Sequence, residues 1–205
     1  MTNLNPPSPF ILQQIDSWLA DQPENIAKQP IQLVDLACGS GRHITEILSQ
    51  KYKCTLQITA VDIDRQSLET LNISADSTSN ITPVWLDLEG EGLDLGVALS
   101  GQLFDLVLVT NYLHRPLLSQ IFALVRPGGR LLYETFGQGN SDFGRPSNPD
   151  FLLQEGELAS AMPEGFSIQY QFFGQRQDLY PTITPAIICQ FSAQRQRKHP
   201  LRPTD

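Results

Sequence analysis

Hydrophobic positions along the chain follow two alternating patterns. Residues 31–36, 56–62, 81–86 and 103–109 are short, largely apolar runs, as expected of strands buried on both faces. Between them apolar residues recur three and four apart: Ile44, Ile47 and Leu48, then Leu68 and Leu71, then Leu117, Leu118, Ile121, Phe122 and Val125. That spacing gives each helix one apolar stripe. The last of these helices is expected over residues 116–125, stopped by Pro127, Gly128 and Gly129, with Arg126 favouring its negative end. A fifth strand then runs to about Thr135. Strands separated by helices build a parallel sheet covered on both faces. Two later runs, 166–173 and 185–192, have only a polar loop between them and must pair antiparallel. The expected fold is one α/β domain with a seven-stranded, mostly parallel sheet whose last strand is antiparallel. Ahead of it, residues 9–20 read as a helix capped by Ser8, with Pro9 in the first turn and a stripe of Ile11, Ile15, Trp18 and Leu19. Residues 155–162 read as a further short helix.

Candidate chemistry gathers where the first strand ends. Val34-Asp35-Leu36-Ala37-Cys38-Gly39-Ser40-Gly41 combines an acid with two glycines one residue apart. Glycine accepts positive φ and lets a ligand lie against bare backbone. The helix that follows aims its free N–H groups at the same place. The second strand ends on Asp62, 21 residues beyond Gly41, the distance at which a βαβ unit presents a carboxylate to ribose hydroxyls. A dinucleotide-binding turn needs a third glycine where this chain has Ile44, so a smaller ligand without a pyrophosphate fits better.

This stretch resembles the first motif of class I S-adenosylmethionine-dependent methyltransferases. Further marks follow in order: Phe104-Asp105-Leu106-Val107 is similar to the family's fourth strand, and Arg126-Pro127-Gly128-Gly129-Arg130-Leu131 to its approach to strand five. Tyr133-Glu134-Thr135-Phe136 and Asn148-Pro149-Asp150-Phe151-Leu152-Leu153 resemble a bacterial subgroup of tellurite-resistance-like methyltransferases. The resemblance spans residues 31–192. It implies a Rossmann-like class I methyltransferase fold, a three-layer sandwich, with S-adenosylmethionine as cofactor. It implies methyl transfer to a small-molecule acceptor by in-line displacement at the sulfonium methyl. It places Asp35 at the methionine ammonium and the backbones of Ala37, Gly39 and Gly41 along the methionyl and ribose parts. Asp62 would meet the ribose hydroxyls with Ile63 beside it, Asp87 and Leu88 the adenine, and Asn111 the inner edge of the cofactor site. An RNA methyltransferase and a non-catalytic S-adenosylmethionine-binding protein are the alternatives.

The fourth strand delivers Asn111, Tyr112, His114 and Arg115 to the same sheet edge. His114 titrates near neutrality and can take a proton from a hydroxyl or thiol nucleophile, or else cap the next helix. Arg115 can hold an anionic substrate or stay solvated. Tyr112, Arg115, Glu134 and Phe143 are the candidate acceptor contacts. Residues 136–150 form a long loop without periodicity, read as a substrate lid. Phe136 and Phe143 would dock it beside Tyr112 and His114, or pack permanently on Phe151 and Leu152. His43 and Cys38 read as packing residues, and Asp64 as a helix cap.

The formal net charge of −8 argues against nucleic acid unless a basic face is segregated. Arg195, Arg197, Lys198, His199 and Arg202 are the one cationic cluster and read as a solvated tail. The expected organisation is an N-terminal helix and linker over 1–30, the cofactor-binding domain over 31–193, and a basic tail over 194–205. Three widely spaced cysteines, Cys38, Cys54 and Cys189, offer no disulfide framework. With no apolar leader and no membrane-length run, this points to a reducing cytoplasm. His43, His114 and His199 lack metal-ligand spacing, so no metal is expected.

Overall fold

The computed structural model describes residues 6–22, 29–50, 52–74, 80–176 and 184–197. The strands are β1 (Ile31–Leu36), β2 (Leu56–Asp62), β3 (Ile81–Trp85), β4 (Phe104–Thr110), β5 (Val125–Phe136), β6 (Phe166–Gln175) and β7 (Ile187–Arg195). The helices are α1 (Pro9–Ala20), α2 (Arg42–Ser49), α3 (Arg65–Ser74), α4 (Leu95–Ala98), α5 (Leu118–Leu124) and α6 (Glu157–Ala161). One sheet holds all seven strands in the order β3-β2-β1-β4-β5-β7-β6. The first five are parallel, and β7 lies antiparallel to both β5 and β6, so β7 alone runs against the rest. Strand order reverses between β1 and β4, which opens a ligand crevice at their C-terminal ends.

Period-two alternation explains the layers. Leu33, Leu106 and Leu108 face one side, where Ile11, Ile15 and Trp18 of α1 and Ile44 and Ile47 of α2 cover them. Val34, Leu36, Val107 and Val109 face the other, against Leu95, Ile121 and Phe122. Because both faces are buried, these strands read as unbroken apolar runs. Helix α1 starts as expected, with Ser8 Oγ accepting from the Ile11 N–H at 3.4 Å. Phe10 is buried on it while Leu19 is only half-buried. Its Trp18 indole donates to the Gly128 carbonyl at 3.1 Å, fastening the helix across the sheet.

The structure shortens the helix expected over 116–125. A 3₁₀ turn, Arg115–Leu117, precedes α5, and Val125 already belongs to β5, paired with Phe104. The apolar run from Leu117 to Val125 serves both elements, so periodicity alone marks no boundary within it. Arg126 accordingly does not sit on a helix end. It pairs with Asp105 at 3.0 Å and donates to the Leu103 carbonyl at 2.9 Å. At Gly129 a Cβ would fall 2.7 Å from the Asp105 carbonyl oxygen, so glycine lets β5 close on β4. Strand β7 continues to Arg195, two residues past the expected domain boundary at 193. Most of the expected linker (23–28) and the tail from 198 lie outside the described residues. Among the described residues, no helix is long and apolar enough to cross a membrane.

Candidate active site

After β1 the chain makes its turn with three left-handed residues, Ala37 (φ 55°), Gly39 (φ 54°) and Gly41 (φ 71°). Ala37 is the unusual one, because its Cβ makes that conformation costly. The Cys38 N–H donates to the Val61 carbonyl at 3.0 Å, tying the turn to β2. The Gly39 N–H donates to Asp62 Oδ2 at 2.7 Å, and the Asp64 N–H to Asp62 Oδ1 at 2.9 Å. Each carboxylate oxygen thus accepts one backbone donor and retains acceptor capacity for a diol. The two glycines serve different ends. A Cβ on Gly39 would meet nothing within 4 Å, which leaves this face open to a ligand. A Cβ on Gly41 would press on the Leu71 side chain, and at φ 71° any side chain is strained, so glycine suits the close approach of α2 to α3. Asp64 caps α3, accepting from the Gln66 N–H and the Ser67 hydroxyl.

Asp35 is wholly buried, and neither carboxylate oxygen has a hydrogen-bond partner among the described residues. Burial raises its pKa to about 7; nearby Arg42 pulls it down and Asp62 pushes it up. An unpaired carboxylate held away from water is destabilising in itself. Its position suits a ligand that brings a cation. Two acids at the ends of β1 and β2, an open Gly39 and the exposed apolar side chain of Ile63 thus lie along one sheet edge, a donor set for a ligand that carries a cation, a diol and an apolar ring. The Ile63 carbonyl accepts from the Trp85 indole at 2.9 Å, and the Arg65 guanidinium lies 4.0 Å over the Trp85 ring. Asp87 turns the chain after β3, with Oδ1 accepting from the Glu89 N–H at 2.9 Å, and Leu88 is buried behind it.

A second region lies across Asn111. A cavity of about 280 Å³ is lined by Asn111, Glu134 and Phe143 from the expected set, and by Arg42, Arg145 and Arg176, which sequence reasoning missed. Glu134 is buried, and its Oε2 accepts from Ser8 Oγ and Gln190 Nε2, both at 2.8 Å. Asn111, left-handed at φ 54°, donates its N–H to the Glu134 carbonyl at 2.8 Å. His43 does more than pack: its Nε2 accepts from the Ser8 N–H at 3.0 Å. Burial, and then Arg42, lower its pKa to about 3, so the ring is neutral. Its proton therefore sits on Nδ1, facing Thr110 Oγ1 at 3.4 Å. Arg42 Nη1 donates to the Pro6 carbonyl at 3.1 Å. Ser8, His43, Glu134 and Arg42 together fasten residues 6–9 as one wall of the cavity.

Two expected acceptor contacts, Arg115 and Tyr112, and the candidate base His114 fall elsewhere. The Arg115 guanidinium pairs with Glu157 at 2.7 Å and donates to the Asp150 and Leu152 carbonyls. It fastens the chain after the loop while its side chain stays 38% exposed, and it does not line the cavity. The Tyr112 hydroxyl is buried without a partner among the described residues. Burial first, then Glu89 and Asp87, push its pKa up, which sets it toward the Asp87 turn and apart from the arginines. His114 occupies the N-cap position before the 3₁₀ turn, but its ring makes no capping hydrogen bond, and it does not line the cavity. The loop after β5 is stitched down at its start. The Gly137 N–H donates to Ile187 O at 2.9 Å, and the Gln138 N–H to Leu153 O at 2.8 Å. Phe136 is half-buried and Phe143 is 42% exposed, and both line the cavity. Of the basic cluster, Arg195 donates to the Val125 carbonyl at 2.7 Å and Arg197 to Gln22 at 3.2 Å, so both serve the fold. Among the described residues, no group of three metal-ligating side chains comes together.

Residues 33–129 match the family model of a methyltransferase domain. That match, over somewhat less than half of the chain, and the surrounding sheet give a methyltransferase domain with the Rossmann-like fold of class I methyltransferases. Among solved structures, TehB from Haemophilus influenzae superposes with a TM-score of 0.63 at 16% identity, covering 96% of this chain and 64% of TehB. The chain therefore spans less than two thirds of that relative's length. The CurJ carbon methyltransferase gives a TM-score of 0.65 at 17% identity, covering 91% of this chain and 54% of that one. The N-methyltransferase NodS from Bradyrhizobium japonicum gives 0.54 at 16% identity, covering 91% and 98% respectively. No curated protein sequence matches the chain.

Proposed function

We propose that this protein transfers a methyl group from S-adenosylmethionine to a small-molecule acceptor. The observation that carries the reading is Asp35, a buried carboxylate without a partner among the described residues, beside the braced Asp62 and the open Gly39. When bound, S-adenosylmethionine supplies a methyl group made electrophilic by its sulfonium, ready for in-line displacement. The chain's part is to bind, orient and exclude water. Asp35 would pair with the ammonium and Asp62 would accept from the ribose hydroxyls. Ile63, Asp87 and Leu88 would border the adenine. Asn111 stands between this edge and the acceptor cavity. Holding two reactants in line contributes roughly 7–11 kcal/mol in favourable cases, so no general base is required of the fold. The RNA alternative is weakened by Arg195 and Arg197, which are engaged within the fold. The testing experiment incubates the protein with methyl-labelled S-adenosylmethionine and a fractionated metabolite extract. Label is expected in a small-molecule fraction; label only in RNA would favour the rival, and calorimetric preference for NAD would overturn the cofactor.

A further inference from the structure

We propose that the cavity walled by Arg42, Arg145 and Arg176 binds the anionic group of the methyl acceptor, a carboxylate or phosphate carried by a small organic molecule. The proposal rests on the methyl-transfer reading for the identity of the occupant as an acceptor, but the anion site itself stands on the geometry. Three guanidinium groups line one cavity in a chain whose net charge is −8. Among the described residues, Glu134 is the one carboxylate in the lining, and its Oε2 is already shared by Ser8 and Gln190. Elsewhere arginines are matched: Arg115 with Glu157, Arg126 with Asp105. Among the described residues, the Arg145 and Arg176 guanidiniums have neither an ion pair nor a hydrogen bond.

These two arginines are placed by backbone contacts. Buried Asn140 accepts from the Ile187 N–H at 3.2 Å and donates to the Pro146 carbonyl at 2.9 Å, which fixes the chain beside Arg145. The Arg176 N–H donates to the Ala186 carbonyl at 2.8 Å at the end of β6. Arg42 feels Arg176 directly. Burial is the largest influence lowering its pKa, Glu134 and Asp35 oppose it, and Arg176 lowers it further. Like charges gathered in a walled cleft focus the potential on an incoming anion. The guanidinium fork matches carboxylate and phosphate geometry. Phe136 and Phe143 offer apolar surface for the carbon skeleton. A volume of about 280 Å³ is at the small end of ligand cavities and suits a metabolite.

The test titrates the full chain with inorganic phosphate and with malonate at constant ionic strength, chloride serving as the reference. Each titration is run with and without S-adenosylhomocysteine and read by calorimetry. Saturable binding of at least one probe is expected, weakened at least tenfold in Arg145→Gln and in Arg176→Gln, with S-adenosylhomocysteine affinity within twofold of wild type. Arg145 is exposed on its loop, so its substitution leaves the core intact. Binding no stronger than chloride, or binding that both variants leave unchanged, overturns the proposal. Loss of S-adenosylhomocysteine binding by the wild type, with phosphate or malonate still bound, would sink the methyl-transfer reading and leave the anion site standing.

Discussion

The two halves of the ligand edge differ in charge, in construction and in how they announce themselves. At the ends of β1 and β2 the polar groups are acids of a single βαβ unit: Asp62, braced by two backbone N–H groups, and Asp35, which has no partner among the described residues. Across Asn111 the cavity is walled by three arginines, brought together from α2, the loop after β5 and the end of β6. An acidic half is suited to a cationic cofactor, and a basic half to an anionic acceptor. Arg42 stands between them, felt by Asp35 on one side and Arg176 on the other. The contrast shows that one sheet edge can present opposite fields a few residues apart, because strand ends and loop ends are set by different parts of the chain.

The largest expected effect bears on the acidic half. Asp62→Ala removes the acceptor for the Gly39 and Asp64 N–H groups as well as the proposed ribose contact. Calorimetry should show S-adenosylmethionine affinity falling more than a hundredfold, about 2.7 kcal/mol, with a lower unfolding midpoint. Unchanged affinity would mean that the cofactor lies elsewhere. Next comes Gly41→Val, which drives a side chain into Leu71 at a left-handed position. Overpacking alone costs about 1–3 kcal/mol, so chemical denaturation should show at least that loss. A tolerated valine would refute the packing role.

The third prediction sets the halves against each other through pH. His43 is held at about 3, below its usual 6.5, so the unfolded chain takes up a proton that the fold refuses. Its contribution falls as pH drops from 6.5 toward 3. Asp35 is held at about 7, above its usual 3.8, so the unfolded chain releases a proton that the fold keeps. Its contribution falls as pH rises from 3.8 to 7. Between about pH 4 and 6.5 the two slopes oppose each other. In Asp35→Asn one slope is gone, and unfolding free energy should climb by about 2–3 kcal/mol from pH 4.5 to 6.5, at 1.36 kcal/mol per unit. A variant that follows the wild-type profile would contradict the Asp35 assignment, and a variant profile flat over this range would contradict that of His43. The smallest effect concerns the wall of the basic half. Ser8→Ala removes the α1 cap and the hydroxyl held by Glu134, and should cost about 1–2 kcal/mol. Faster hydrogen exchange over residues 6–20 is the expected mark.

The acidic half was legible in the sequence because its signal is local. Asp35, Gly39 and Gly41 lie within seven residues, and Asp62 follows at a spacing that one helix and one strand impose. The seven strands were legible for a similar reason, since runs buried on both faces read as apolar without interruption. The reason for Gly41 was not legible, because Leu71 lies on another helix. Nor was the helix boundary at Leu124, where one apolar run serves two elements. The basic half left no local trace. Arg42, Arg145 and Arg176 meet only because β7 inserts between β5 and β6 and returns its start to the loop after β5. Arg115, next to a motif, drew the anion-holding reading because its partner Glu157 is 42 positions away. His43 looked like packing because its partner, the Ser8 N–H, is 35 positions away.

Asp35→Asn, followed by calorimetry with S-adenosylmethionine and a thermal melt without it, probes the cofactor site most directly. Asparagine keeps the shape and removes the buried charge whose burial holds the pKa near 7. The expected variant melts higher than wild type at pH 8, by the equivalent of a few kcal/mol at most, and binds S-adenosylmethionine at least a hundredfold more weakly. Affinity within a few-fold of wild type would contradict the assignment of Asp35 to the cofactor's ammonium group.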